Sequence, residues 1–264
     1  MIGRLFAKKS LGQNFLITPR VVEAIALAGD LHEGETAIEI GPGKGVLTRA
    51  LLEKGARVKA IEKDDRLIPV LSEEFKKEIA DGRLDLIHGD ILEMDIDASV
   101  AAIEGTYKVI ANIPYYITGA LVRRFLSTDN KPSLMVLMVQ KEVANRIIAR
   151  DGKESILSLS VKAYAAPELV MNVSRGNFFP IPNVDSAVIK LSNIKNPFAD
   201  SAQEERFFEM IKAGFAQKRK KLISNLGSVM PRAELEKRFA DLGIGENARA
   251  EDIGLDLWLK LARA

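Results

Sequence analysis

Two hydrophobic patterns alternate along the first two-thirds of the chain. Short runs that are apolar nearly throughout alternate with stretches in which apolar residues recur every three to four positions. The runs Thr36–Ile40, Arg57–Ile61, Leu84–His88, Tyr107–Ala111 and Leu134–Val139 predict strands, and their continuity is that of parallel strands covered on both faces. The amphipathic stretches predict helices over Val21–Ala28, Val46–Lys54, Asp64–Ile79, Thr118–Leu126, Lys141–Ala149 and Ser155–Ala165. Thr18-Pro19 opens the first of these and Gly29 closes it; Gly55 stops the second. Two late runs, Leu169–Val173 and Ala187–Leu191, flank the Pro-rich loop Phe178-Phe179-Pro180-Ile181-Pro182-Asn183 with no helix between them. That arrangement predicts an antiparallel pair closing the edge of the sheet. After Asn196-Pro197 only helical patterns remain, over Gln203–Ala216, Arg219–Val229, Arg232–Leu242 and Asp256–Ala262. The expected organisation is an α/β domain over residues 1–195 followed by a small helical domain over residues 196–264.

Composition excludes several classes without altering this architecture. The 264 residues are 47% hydrophobic and 28% charged, which excludes a disordered chain or a fibrous repeat. The longest apolar run, Leu134–Val139, is far short of the ~18 residues of a membrane span. The segment Met1–Lys9 is too poor in apolar residues for a secretory signal, so a soluble cytoplasmic protein is expected. Without cysteine there is no disulfide framework, thiolate metal site or cysteine nucleophile. His32 and His88 lie far apart with no clustered acids at ligand spacing, so neither a metal nor a Ser-His-Asp triad is expected. The net charge of +2 conceals a basic middle, since residues 101–195 carry 12 basic and 7 acidic side chains. The densest cluster, Lys218-Arg219-Lys220-Lys221, lies in the last third. This pattern permits a polyanionic partner but does not require one, because charge runs commonly form solvated faces.

The chemistry is carried by strand ends. Glu39-Ile40-Gly41-Pro42-Gly43-Lys44-Gly45 joins the first strand to a helix N-terminus, where a doubly wound fold presents its backbone to a ligand. The spacing G-x-G-x-G departs from the dinucleotide pattern G-x-G-x-x-G, and Val46 excludes the Gly-Lys-Ser/Thr ending of a P-loop. Taken alone, this is equally a tight strand-to-helix turn. Glu62 ends the next strand, 21 residues beyond Gly41, where a carboxylate accepts from ribose hydroxyls. Asp90 ends the third strand, placed to accept from an adenine amino group. An adenosine site without a phosphate partner fits S-adenosylmethionine better than a nicotinamide cofactor. The tetrapeptide Asn112-Ile113-Pro114-Tyr115 follows the fourth strand. An exocyclic adenine amine is a poor nucleophile because its lone pair is delocalised into the ring. Hydrogen bonds to the Asn112 side-chain oxygen and the Pro114 carbonyl would favour a pyramidal nitrogen, with Tyr115 stacked on the base.

With these residues the chain resembles the KsgA family of small-subunit ribosomal RNA adenine dimethyltransferases over nearly its whole length. Ser10-Leu11-Gly12-Gln13-Asn14-Phe15-Leu16 is similar to the family's N-terminal segment, and the resemblance makes Asn14 and Leu16 cofactor contacts. Glu39–Thr48 is similar to its Gly-rich motif, with Gly41 and its neighbour Gly43 at the cofactor. Glu62, Asp90 and Asn112 fall at its ribose, adenine and catalytic-loop positions. Phe179-Pro180-Ile181-Pro182-Asn183-Val184-Asp185-Ser186 resembles a late motif whose Phe stacks on the target base, which an extruded base requires. Gly214–Lys221 and Arg249–Ile253 resemble its C-terminal signatures; Ile113 stands where Leu is usual.

The resemblance implies a Rossmann-like domain with a seven-stranded mixed sheet and a helical C-terminal domain. It further implies dimethylation at N6 of two adjacent adenines near the 3′ end of 16S rRNA, within the assembling 30S subunit; a monomer is expected. On that reading Lys218, Arg219, Lys220 and Lys221 contact RNA phosphates, with Lys8, Lys9, Arg123, Arg124, Lys141, Arg146 and Arg150 as weaker members of the same surface. Related 23S rRNA methyltransferases of the macrolide-resistance type share the first motifs, and only the C-terminal signatures oppose that alternative. A nicotinamide-dependent dehydrogenase is disfavoured by the glycine spacing. A non-catalytic ribosome-assembly factor is opposed by the intact Asn112-Ile113-Pro114-Tyr115.

Overall fold

The computed structural model describes Lys8 and residues 11–263. Lys9 and Ser10, named above, lie outside the described residues. The chain divides into two compact units: one runs up to Ala144 and resumes over Ala166–Ile194, and the other comprises Asn145–Ala165 and everything from Lys195 onward. The limit expected near residue 195 therefore marks only one of three crossings. Residues 145–165 group with the C-terminal helices, because an amphipathic pattern specifies that a helix buries a face but not against what.

The first unit is built on a seven-stranded sheet. Its strands are β2 (Thr36–Ile40), β3 (Arg57–Glu62), β4 (Leu84–His88), β5 (Tyr107–Asn112), β6 (Leu134–Gln140), β7 (Ala166–Val173) and β9 (Ser186–Ser192). Their order is β4-β3-β2-β5-β6-β9-β7. The first five are parallel, and β9 pairs antiparallel with both β6 and β7. Central β5 and β6 are buried along nearly their whole length, as their unbroken apolar runs require. Edge strand β7 alternates exposed and half-buried residues, and Pro167 is tolerated there because an edge strand need not donate on both sides. Strand order reverses between β2 and β5, and in such sheets the crevice beyond the carboxyl ends at the reversal is where ligands sit.

Helices α1 (Pro19–Ala28), α2 (Val46–Glu53), α3 (Ile68–Glu74), α4 (Lys76–Ala80), α5 (Ile96–Ala101) and α6 (Thr118–Ser127) complete this unit, and α7 (Lys141–Ile148) spans the division. The helix expected over Asp64–Ile79 starts instead at Ile68, with Pro69 in its first turn, where a missing N–H costs nothing. It breaks at Phe75 (φ −113°), whose ring is fully buried. Helix α5, absent from the hydrophobic pattern, is opened by Asp95, whose carboxylate accepts from the Ala98 N–H at 3.0 Å. Two further two-residue strands escaped the sequence reading. β1 (Phe15–Leu16) pairs antiparallel with β8 (Phe178–Phe179), aligning Phe15 with Phe179 and Leu16 with Phe178.

The second unit packs α8 (Ile156–Lys162), α9 (Ser201–Gly214), α10 (Leu222–Leu226), α11 (Arg232–Asp241) and α12 (Leu255–Ala262) around Trp258, Phe207 and Leu222, all fully buried. At Gly214 a Cβ would lie 2.3 Å from the Trp258 ring, so only glycine lets α9 approach α12 this closely. The helix expected over Arg219–Val229 shortens to α10. Residues 215–221 form a loop pinned by the buried Asn225 amide, which donates to the carbonyls of Gly214 (2.6 Å) and Gln217 (3.1 Å).

Candidate active site

The carboxyl ends of β2, β3 and β5, together with the loop after β4, converge on one cleft in the first unit, enclosing about 1090 Å³ of space including its open mouth. Its walls include Asn14, Leu16, Gly41, Gly43, Glu62, Asp90, Asn112, Pro114 and Tyr115. Residues read separately along the sequence are thus brought together in space.

The turn after β2 is a steric requirement. Gly45, the residue before α2, has φ 76°, and a Cβ there would lie 2.5 Å from the Phe75 ring. Only glycine satisfies both constraints. At Gly41 the N–H is donated to the Ile61 carbonyl at 2.9 Å, but the space a Cβ would occupy is empty to 4 Å, so a ligand can approach the Cα face. The Gly43 N–H points instead to Glu62 Oε2 at 3.0 Å, while the Asp64 N–H reaches Glu62 Oε1 at 2.8 Å. These two bonds orient the carboxylate and leave lone pairs for two hydroxyl donors. Burial raises the Glu62 pKa, opposed by the two amide hydrogen bonds.

Beneath this acid lies a second. Glu39 is almost completely buried on β2 and accepts from the Thr48 hydroxyl at 2.6 Å. Burial pushes its pKa up to about 8, with the Glu62 charge adding to the rise and the Thr48 bond opposing it. Asp90 differs. Burial acts to raise its pKa, but the Lys63 ammonium at 2.5 Å and the Leu92 N–H at 2.9 Å outweigh it and hold the pKa low. Asp90 is therefore a fixed negative charge in the loop after β4, two residues beyond the strand end at His88 rather than at the end itself.

Asn112 closes β5 in register with Met138 of β6. Its amide has no hydrogen-bond partner among the described residues, which leaves an acceptor and two donors for a ligand. The Pro114 carbonyl accepts from the Ile117 N–H at 3.2 Å and keeps one lone-pair direction. The Tyr115 hydroxyl is tied to the Ser186 hydroxyl at 2.7 Å, anchoring the loop to the start of β9. The β1–β8 pairing separates the two phenylalanines: Phe178 is 2% exposed and lines the cleft, whereas Phe179 is 63% exposed. Successive residues of a strand face opposite ways, so one ring enters the core and the other stands in solvent.

A family model described as ribosomal RNA adenine dimethylase matches residues 5–264. The chain belongs to that family. It is a methyltransferase with the Rossmann-like fold of its relatives. Ribosomal RNA small subunit methyltransferase A of Dehalococcoides mccartyi is 41% identical over 259 residues, covering 97% of this chain and 88% of that protein. Among solved structures, the 23S rRNA methyltransferase ErmE matches with TM-score 0.77 and 26% identity, over 94% of this chain and 98% of that one. A dimethyladenosine transferase from Plasmodium falciparum matches with TM-score 0.78 and 25% identity, over 94% and 95% of the two chains.

Within this dimethylase fold some expected residues take other places. Leu16 is buried in the core of this unit and lines the cleft from there, as Phe178 does. Arg124, read as a surface cation, instead donates to the carbonyls of Ile91 (3.2 Å), Leu92 and Met94 (2.5 Å), fixing the loop that follows Asp90. Lys218, Arg219, Lys220 and Lys221 are all exposed in the loop between α9 and α10 and line no part of the cleft. Residues unmarked by the sequence reading also belong to the site. Lys63 holds Asp90, Tyr116 packs its ring beside Gly12, and Asp64 accepts from Gln13 Nε2 at 2.8 Å. A carboxylate two residues after a strand end is the available signal for Asp64, but such a residue reads equally as a helix cap. Among the described residues no cluster of His, Asp and Glu could hold a metal, and no helix is long and apolar enough to cross a membrane.

Proposed function

We propose that the protein transfers methyl groups from S-adenosylmethionine to N6 of two adjacent adenines near the 3′ end of 16S rRNA, giving dimethyladenines on the assembling small subunit, and acts as a cytoplasmic monomer. The observation that carries this reading is the convergence of Glu62, Asp90 and Asn112 on one cleft behind a glycine turn whose Cα face is open at Gly41. The name of the relative at 41% identity supports the small subunit as substrate.

The residues present fit an adenosyl donor. Glu62 would hold the ribose hydroxyls, Asp90 the adenine amino group, and Gly41, Gly43, Asn14 and Leu16 the remainder. When bound, S-adenosylmethionine supplies an electrophilic methyl group on a cationic sulfur. The Asn112 oxygen and Pro114 carbonyl accept from the target amine and aim its lone pair, so the contribution is orientation rather than strong general-base catalysis. Tyr115 lines the same wall, and the exposed Phe179 ring offers a stacking face for an extruded base. Lys218, Arg219, Lys220 and Lys221 serve as phosphate contacts.

The test is transfer of labelled methyl groups to small and large ribosomal subunits from a strain lacking the enzyme, followed by mapping of the modified base. Label in adjacent adenines of the small subunit is expected. Label confined to the large subunit supports the 23S alternative, and no transfer supports a non-catalytic assembly factor. Asn112→Ala should lower the single-turnover rate about a hundredfold at unchanged melting temperature. A wild-type rate would remove the proposed role of the amide.

A further inference from the structure

One wall of the cleft is the N-terminal segment from Leu11 to Leu16. Backbone pairing of β1 with β8 holds its far end. Near its start, the one side-chain hydrogen bond that ties it to the strand ends, among the described residues, is Gln13 Nε2 to Asp64 Oδ2 at 2.8 Å. The bond spans 51 residues of sequence. Gln13 uses both ends of its amide, because its Oε1 accepts from the Lys8 N–H at 2.8 Å. Asp64 is an unusually well-held acceptor. Its side chain is fully buried and receives Arg66 through Nε at 2.8 Å and through a terminal nitrogen at 2.6 Å. The Arg66 guanidinium holds the Asp64 carboxyl well below the usual carboxylate range, so it stays a charged acceptor. The N–H of the same residue donates to Glu62 Oε1. Gln13, Asp64 and Glu62 are therefore linked in series, from the wall to the acid that faces the ribose.

We infer that Gln13 and Asp64 form a clasp that seats the N-terminal wall against Glu62, making Gln13 a positioning residue for the adenosyl group. This rests on the reading that the cleft binds an adenosyl donor. The clasp acts on affinity, because Gln13 stands at the wall and at Asp64 rather than at Asn112, where the target amine is aimed. The same wall carries Phe15 and Leu16 into pairing with Phe178 and Phe179, so the clasp also steadies the strand that presents the exposed ring.

The experiment measures S-adenosylhomocysteine binding by calorimetry, with KM and kcat for methyl transfer, in wild type and three variants. Gln13→Ala should weaken binding about ten- to a hundredfold, the loss of a hydrogen bond to a charged group. KM for the donor should rise with it, and the larger loss should fall on KM rather than kcat. Gln13→Glu should be worse than Gln13→Ala, since two carboxylates would then face each other. Gln13→Lys keeps a donor for Asp64 Oδ2 and leaves the Arg66 pair in place, and should retain at least half of the binding free energy that Gln13→Ala loses. Melting temperatures establish that each variant is folded. Wild-type protein that fails to bind S-adenosylhomocysteine would overturn the reading of the cleft. Wild-type binding with unchanged affinity in Gln13→Ala, or no recovery in the folded Gln13→Lys variant, would overturn the clasp alone.

Discussion

Glu39 carries the largest upward displacement of any acid at the site, and its position explains why. It lies on central β2 with its carboxyl out of water, one hydroxyl partner and a second acid nearby. A solvated glutamate titrates near 4.5 and Glu39 near 8, so between these values the folded chain keeps a proton that the unfolded chain releases. The stability contributed by this group is fully present below pH 4.5 and is lost as pH rises toward about 8. Glu39→Gln keeps the acceptor for Thr48 and cannot ionise. Urea unfolding at pH 5 and pH 8 should therefore show the variant gaining on wild type at the higher pH. Parallel pH dependences in the two proteins would show that Glu39 is ionised in the fold. The sequence places this residue in a strand and at the start of the Gly-rich turn without marking it as a protonated acid, because its role depends on burial, which is a property of the sheet.

At the level of elements, β1 and β8 are the shortest strands and among the most consequential. Together they place the N-terminal segment beside the Pro-rich loop, across more than half the chain. Neither was legible, since two-residue strands have no periodicity to read. The hydrophobic pattern does not separate Phe178 from Phe179, and only the family resemblance singles out Phe179; the strand assigns the two rings opposite faces. Phe178→Ala should destabilise the fold by about 3–5 kcal/mol, the usual cost of emptying a buried aromatic position. Phe179→Ala should change stability by less than about 0.5 kcal/mol. It should nevertheless weaken RNA binding by about 1–3 kcal/mol if the ring stacks on the target base. Thermal melts and subunit-binding assays on both variants separate the two roles. A Phe179→Ala protein that binds and methylates normally would remove that ring from the site.

For the whole molecule, charge distribution matters more than net charge. The cleft belongs to the first unit and the densest basic cluster to the second, held in a loop that Asn225 fixes from below. Neutralising Lys218, Arg219, Lys220 and Lys221 should lower affinity for the ribosomal subunit and flatten its dependence on salt, because fewer counterions are released. Affinity for S-adenosylhomocysteine should not change. An unaltered salt slope, measured by filter binding between low and physiological salt, would mean that the loop is only a solvated surface.

Much of this molecule is determined by sequence alone. The near-continuous apolar runs point to buried strands, because their short length and β-branched content suit a strand covered on both faces. The Gly-rich turn, Glu62, Asp90 and Asn112 are legible because strand ends in such a sheet converge on one crevice whatever the details of packing. Tertiary structure decided what depends on partners distant in the chain. It placed residues 145–165 with the C-terminal helices, turned Arg124 from a surface cation into a brace for the Asp90 loop, and sent Phe178 inward and Phe179 outward. It also joined Gln13 to Asp64. Hydrophobic period and residue type specify that a group must be buried or satisfied, but the choice of partner is made by packing, where many segments compete for the same surface.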